Sequence, residues 1–335
     1  MIGKVPPETL SELILERTGS ADDRVRQGGG YGEDAAAIEL GEETLVVSTD
    51  PISMAVEHLG TLGVDVACND VAASGGEPEW LTSTLFLPDD SEETLATITD
   101  GIHEAADALG VTVVGGHSEY APDRETPLVV CTCIGTTDRF VPTGGAEAGD
   151  AIVLTGGAGI EGTAILATDF REELAEEVPA ELLDRAGTFY DDVSVIEAAR
   201  ILRDSATAMH DPTEGGVLDG LIELASASKV RLNVDPGAIP IREETTAVCE
   251  AIGVDPLRIF GSGALIATMA PEEAEAAVAE LREEEITAAV VGQVEAVDEA
   301  GDDATDKPAA EPALGLGEEE YREPVRDDMY ELWEE

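Results

Sequence analysis

The sequence predicts an α+β protein of two domains, and two observations carry that expectation. At ~150 residues per domain, 335 residues divide into two units, each able to bury a core. Short apolar runs of strand length also alternate with helical stretches on both sides of a glycine-rich interruption at 142–149. Hydrophobic residues make up 43% of the chain, enough to fold despite 73 Asp+Glu against 18 Lys+Arg and a formal charge of −55.

Element by element, Pro6 and Pro7 open a helix with Leu10, Leu13 and Ile14 on one face, ended by Gly19. The glycines at 28–32 lead into an apolar run at 35–38, and residues 45–49 read as a buried strand that stops at Asp50-Pro51. Small residues over 61–74 form a helix closed by Gly75-Gly76, followed by a strand at 81–87. Ser91 caps a helix whose inner face is Leu95, Ile98, Ile102 and Leu109, and Gly110 stops it. Strands follow at 111–114 and 128–134.

The second half repeats the mixture. Strands are expected at 151–154, 230–234, 264–269 and 288–291, with helices near 162–170, 172–185, 193–203, from 216, and at 271–284. The expected domains are residues 1–148, 149–298, and an acidic, solvated extension at 299–335. Within that extension Met329, Leu332 and Trp333 share helical spacing and should dock.

The charge excludes several function classes. A chain this acidic is repelled by phosphate backbones, which argues against nucleic acid as a partner. No apolar run approaches the ~18–20 residues that span a bilayer, and residues 1–19 do not read as a signal peptide, so a cytoplasmic protein is expected. Self-repulsion of the acids is screened at ~1 M salt, which fits a salt-rich, halophilic cytoplasm; a surface made for a basic partner is the alternative. Unfolding followed against KCl separates the two, since a salt-adapted chain loses structure below about molar salt. Four cysteines (Cys68, Cys131, Cys133, Cys249) form no disulfide framework, and the scattered histidines give no zinc spacing.

Acids recur beside Gly or Pro at element ends: Glu33-Asp34, Asp50-Pro51, Asn69-Asp70, His117-Ser118-Glu119 after Gly115-Gly116, and Asp211-Pro212. Hard carboxylate oxygens without soft ligands suit Mg²⁺, which favours nucleotide phosphates, and glycine loops let backbone N–H groups approach those phosphates. Asp70 lies on a helix face poor in charge, so its carboxylate either binds metal, caps a turn or pairs with an arginine. Asp34 and Asp50 fit metal binding or an Asx-type turn, and His117 fits a structural hydrogen bond or catalysis. No Walker A loop, nucleophile elbow or activated cysteine is present. Gly157-Ala158-Gly159-Ile160-Glu161-Gly162 matches G-x-G-x-x-G, but a dinucleotide fold would need a second strand ending in an acid ~20 residues on; the segment reads as a glycine turn that faces a ligand or none.

Taken in order, these segments resemble the PurM-like superfamily of ATP-using enzymes, which includes AIR synthetase, thiamine-monophosphate kinase, selenophosphate synthetase and HypE. The resemblance runs from about residue 3 to 294 and looks closest to archaeal AIR synthase-related and HypE-type proteins. It rests on Gly32-Glu33-Asp34-Ala35-Ala36, Ser48-Thr49-Asp50-Pro51, Asn69-Asp70-Val71-Ala72-Ala73-Ser74-Gly75-Gly76, Gly115-Gly116-His117, Gly149-Asp150 and His210-Asp211-Pro212-Thr213-Glu214-Gly215-Gly216.

The resemblance implies an N-terminal domain that forms a β-barrel with a second copy, a homodimer, and a C-terminal α/β sandwich. It implies ATP and Mg²⁺ as cofactors, with Asp34, Asp50, Asp70 and Asp211 as metal ligands and Gly32, Asn69, Gly115 and Gly116 beside the nucleotide. Asp211 and His117 are the implied catalytic residues, and 115–119 would line the same cleft. It further implies phosphoryl transfer to a small-molecule or amide-type oxygen, with the substrate unassigned.

The departures leave other readings open. The chain ends Glu331-Leu332-Trp333-Glu334-Glu335, where HypE has a reactive terminal Cys, so cyanation through a terminal thiol is not expected. His117 stands where HypE and thiamine-monophosphate kinase have Asp. The alternatives are a nucleotide-binding regulator or maturation partner without turnover, and an acidic scaffold for a basic protein.

Overall fold

A computed structural model describes residues 3–297 and 311–334. Among these the strands form one six-stranded and one seven-stranded sheet. The first contains β1 (Val25–Gln27), β2 (Ala36–Leu40), β3 (Glu43–Ile52), β4 (Glu77–Leu87), β5 (Thr112–Tyr120) and β6 (Leu128–Thr137). Its order is β1-β2-β3-β6-β4-β5, and only β4 and β5 run parallel. This sheet is open, with β1 and β5 at its edges, so the expected barrel is not formed within one chain.

The second sheet contains β7 (Ala151–Thr155), β8 (Ala208–His210), β9 (Arg231–Val234), β10 (Leu265–Met269), β11 (Ala288–Glu295), β12 (Ala313–Leu316) and β13 (Glu319–Tyr321), in the order β13-β12-β9-β11-β7-β10-β8. The helices are α1 (Pro7–Leu10), α2 (Leu59–Ala73), α3 (Glu92–Leu109), α4 (Ile160–Asp169), α5 (Arg171–Leu174), α6 (Ala180–Gly187), α7 (Ile196–Leu202), α8 (Gly216–Ser228), α9 (Glu243–Ile252), α10 (Pro271–Glu283) and α11 (Tyr330–Glu334).

Side-chain alternation explains the layering. On β7, Val153 packs with Leu202 of α7, Met269 of β10 and Leu281 of α10, while its neighbours Ile152 and Leu154 pack with Leu221 and Ile222 of α8 and Leu232 of β9. The second sheet is therefore covered by helices on both faces. α2 is buried on nearly every side, as its run of small and apolar residues requires, and belongs to the same core as α7 and α10. One continuous core thus joins the two halves. The caps on α3 are as expected: the Thr94 backbone N–H donates to Ser91 Oγ (3.2 Å), and Gly110 ends the helix at φ 73°. All four cysteines are free and buried.

Several expectations are corrected. The N-terminal helix is α-helical only over Pro7–Leu10 and continues as one π-type turn at Ser11–Leu15; Leu13 and Ile14 are exposed, so no buried face holds it longer. β3 continues through Asp50-Pro51 to Ile52. β5 does not stop at Val114 but runs to Tyr120, with Gly116 opposite Ser83 and His117 opposite Thr84. A side chain at Gly116 would meet the Ser83 carbonyl oxygen at 2.1 Å, so glycine is what lets β5 lie this close.

The acidic extension is not wholly solvated. Residues 298–310 lie outside the described residues, but Ala313–Leu316 is buried and pairs parallel with β9, satisfying a sheet edge that would otherwise be bare. At its end Met329 is buried, and Trp333 packs edge-on against Phe170 with ring centroids 5.6 Å apart, as the spacing indicated.

Candidate active site

Four elements from both halves deliver carboxylates to one cleft of about 940 Å³. Gly32 turns the chain at φ 77°, where a side chain would meet Glu223 of α8 at 2.9 Å, and this sets Asp34, just before β2, against β8. Ser48 and Asp50 share one face of β3 at a spacing of two. Asp70 projects from α2, and Asp211 directly follows the buried strand β8.

Asp34, Asp70 and Asp211 each offer a carboxylate oxygen within 4.8 Å of the others. The Ser48 hydroxyl donates toward Asp50 Oδ2 (3.0 Å) and Asp70 Oδ2, which ties Asp50 to the group. Asp211 is 2% exposed, and neither of its carboxylate oxygens is hydrogen-bonded. Burial pushes the Asp70 carboxyl well above the ordinary range, with the Asp50 and Asp211 charges adding to it. Asp211 is pushed up the same way, by burial first and Asp34 second. A cluster of hard oxygens with an orphaned buried carboxylate fits a divalent cation of the Mg²⁺ type and offers nothing to a soft metal.

On the other side of Asp34 the acids have cations beside them. His210 donates from Nδ1 to Asp34 Oδ1 (2.6 Å) and from Nε2 to Glu223 Oε2 (3.0 Å). Both partners are acceptors, so the ring carries both protons. Burial alone would lower the His210 pKa, but Asp34 and Glu223 raise it well above its ordinary value. Lys4 Nζ donates to Glu223 Oε1 (3.1 Å). Burial pushes the Glu223 carboxyl up, yet Lys4 and His210 outweigh it and hold it at about 2.

Not every residue expected at the cleft is there. Asn69 is fully buried, its Nδ2 donating to the Val193 carbonyl and its Oδ1 accepting from the Val195 N–H, both at 2.9 Å. Its amide is consumed in clamping α2 to the loop before α7, so it is a tether between the halves. Gly115, Gly116 and His117 lie on the exposed edge strand β5, where His117 Nε2 meets Glu119 Oε2 at 3.1 Å. They are absent from the cleft lining of a single chain. Most N–H groups of the glycine turn at 157–162 are already used: Gly157 and Ala158 donate to the carbonyls of Thr155 and Pro240, and Glu161 and Gly162 to those of Ser262 (3.2 Å) and Phe260 (3.0 Å).

Sequence reasoning passed over Lys4, His210 and Glu223. A signal existed for Glu223: it stands four residues after Asp219 in a helix otherwise made of Val217, Leu218, Leu221, Ile222 and Leu224, where buried acids need a partner.

Two family models cover most of the chain: the AIR synthase related protein N-terminal domain over residues 32–137 and its C-terminal domain over 147–303. The chain belongs to the AIR synthase-related family. Within this family it is 32% identical to the carbamoyl dehydratase HypE of Cupriavidus necator over 288 residues, 81% of this chain and 78% of that one. It is 28% identical to a hydrogenase expression/formation protein of Methanocaldococcus jannaschii over 84% of both chains. Among solved structures, the hydrogenase maturation protein HypE in complex with ATP superposes with a TM-score of 0.70 at 27% identity, covering 92% of this chain and 90% of that one. The two-sheet α+β fold described above is thus the PurM-like fold of its relatives.

Proposed function

We propose that this AIR synthase-related chain is a Mg²⁺- and ATP-dependent enzyme that transfers a phosphoryl group to an oxygen of a small-molecule or amide-type substrate. The observation that carries the reading is Asp211, sealed from solvent without a hydrogen bond, beside Asp34 and Asp70. Support comes also from the relative solved with ATP and from a cleft large enough for a nucleotide.

Asp34, Asp70 and Asp211 would hold the cation, with Asp50 joined through Ser48. A bound divalent cation supplies charge neutralisation for the phosphates. The chain's own part is positional. Ser48 fixes the rotamers of Asp50 and Asp70, and His210 holds Asp34 in one orientation while compensating its charge. The walls of the cleft keep the carboxylates away from water, which strengthens their pull on a cation.

The exposed β5 edge suits a second copy, and a homodimer closed through it would carry Gly115, Gly116 and His117 toward a neighbouring cleft. A purely monomeric species in sedimentation would remove that part of the proposal.

The test of the activity is calorimetric titration of MgATP in molar KCl. Asp70→Asn should weaken binding by about 1.5–3 kcal/mol, roughly 10- to 100-fold, as expected for a lost charged contact. Unchanged affinity in this variant overturns the assignment. Sustained ADP release with a substrate would separate an enzyme from a nucleotide-binding regulator.

A further inference from the structure

A second chamber of about 420 Å³ opens off the main cleft, sharing Lys4, Asp50, Glu214 and Tyr330 with it. Its deep end is made by the first turn of α4 and the loop at 260–262. Ser262 is 1% exposed, and its hydroxyl makes no hydrogen bond. The Oε2 atom of Glu214 is likewise buried without a partner. Glu161 is 6% exposed, with the Ser262 hydroxyl beside its carboxyl, short of a well-formed hydrogen bond, and Glu214 as the neighbouring charge. Leu62, Ile165 and Phe260 supply apolar wall between these groups.

Buried polar atoms in native proteins are paired almost without exception, so the two unpaired oxygens, with Glu161 facing the same space, describe what belongs there. Two of the first-turn N–H groups of α4, those of Glu161 and Gly162, already serve loop carbonyls and are not offered to an anion. Carboxylates repel a negatively charged ligand and leave an ordinary alcohol short of donors. A primary ammonium has three N–H donors and the charge that Glu161 lacks, Glu214 already having Lys4 in reach, and an aromatic wall favours it further.

The geometry points to this chamber as the binding subsite for a small primary amine on a compact apolar body, seated against Glu161 and Ser262. As the subsite of the acceptor substrate it rests on the function proposed above, since the chamber opens toward Asp50 and Lys4 where a phosphoryl group would arrive. As a binding site it stands independently.

The experiment is calorimetry in molar KCl without nucleotide, using benzylamine, benzyl alcohol and benzoate as probes, with MgATP titrated separately. Benzylamine should bind saturably and at least tenfold more tightly than the other two. Glu161→Gln and Ser262→Ala should each weaken it about fivefold or more, while the MgATP affinity of both variants stays within twofold of the wild type. Equal binding of benzoate, or benzylamine binding unaltered in both variants, overturns the subsite. MgATP binding without benzylamine binding also overturns it and leaves the proposed activity intact. Benzylamine binding without MgATP binding upholds the subsite and removes the activity.

Discussion

At one end of the cleft Glu223 lies between Lys4 and His210, and His210 reaches on to Asp34, while the buried Asp219, pushed up to about 6, shares the same two cations. At the other end Asp70 and Asp211 lie together, both buried, with Ser48 hydrogen-bonded to Asp70 and only His210, next to Asp211, as a cation in reach. Burial is nearly the same at both ends, yet Glu223, between two cations, is held at about 2, whereas burial keeps Asp34 above its ordinary value even beside His210, and Asp70 and Asp211 are pushed well above theirs. The contrast teaches that burial alone does not set the charge of a carboxylate; its partners do. The balanced end holds its own shape. The unbalanced end is where the proposed cation would supply the charge that the chain's own residues do not.

The largest expected effect breaks the balanced end. His210→Ala leaves Asp34 and Glu223 buried against each other and should lower unfolding stability by about 3–5 kcal/mol, measured with denaturant in high salt. A loss under about 1 kcal/mol would mean that the relay does not matter to the fold, and the comparison would collapse.

The next effect tests unbalanced burial away from the proposed metal. Asp65, buried on α2, is pushed up to about 7 by burial and then by Glu161. Between its unfolded pKa near 4 and that value the native state binds more protons than the unfolded state, so stability falls as pH rises through this window and levels off above it. Asp65→Asn should flatten that part of the pH profile and stabilise the protein at pH 8, by at most about 4 kcal/mol at about 1.4 per pKa unit. A profile in the variant as steep as in the wild type would show that burial there costs nothing.

Much of this arrangement was legible in the sequence, for local reasons. Ser91 and Gly110 mark a helix by chemistry that acts over a single turn, and the period-two alternation around Cys131 and Cys133 marks a strand whose cysteines share the buried side. Acids at element ends pointed to Asp34, Asp50, Asp70 and Asp211, which do converge. What escaped depends on partners distant in the chain. The Lys4–Glu223 pair spans 219 positions and leaves no local trace. The family resemblance implied Asn69 beside the nucleotide with Asp70, but one step along a helix turns a side chain about 100°, and that carries it to the α7 loop. The strand at Ala313–Leu316 escaped because four apolar residues among acids have no period, and only the bare edge of β9 gives them a place.

The central claim concerns the unbalanced end, and the midpoint of denaturant unfolding for wild type and Asp211→Asn, each with and without MgATP, tests it most directly. Removing an uncompensated buried charge should make the nucleotide-free variant more stable than the wild type. Saturating MgATP should raise the wild-type midpoint strongly, by mass action on the folded state, and barely move that of the variant. A variant that begins less stable than the wild type and gains as much from MgATP would contradict the account.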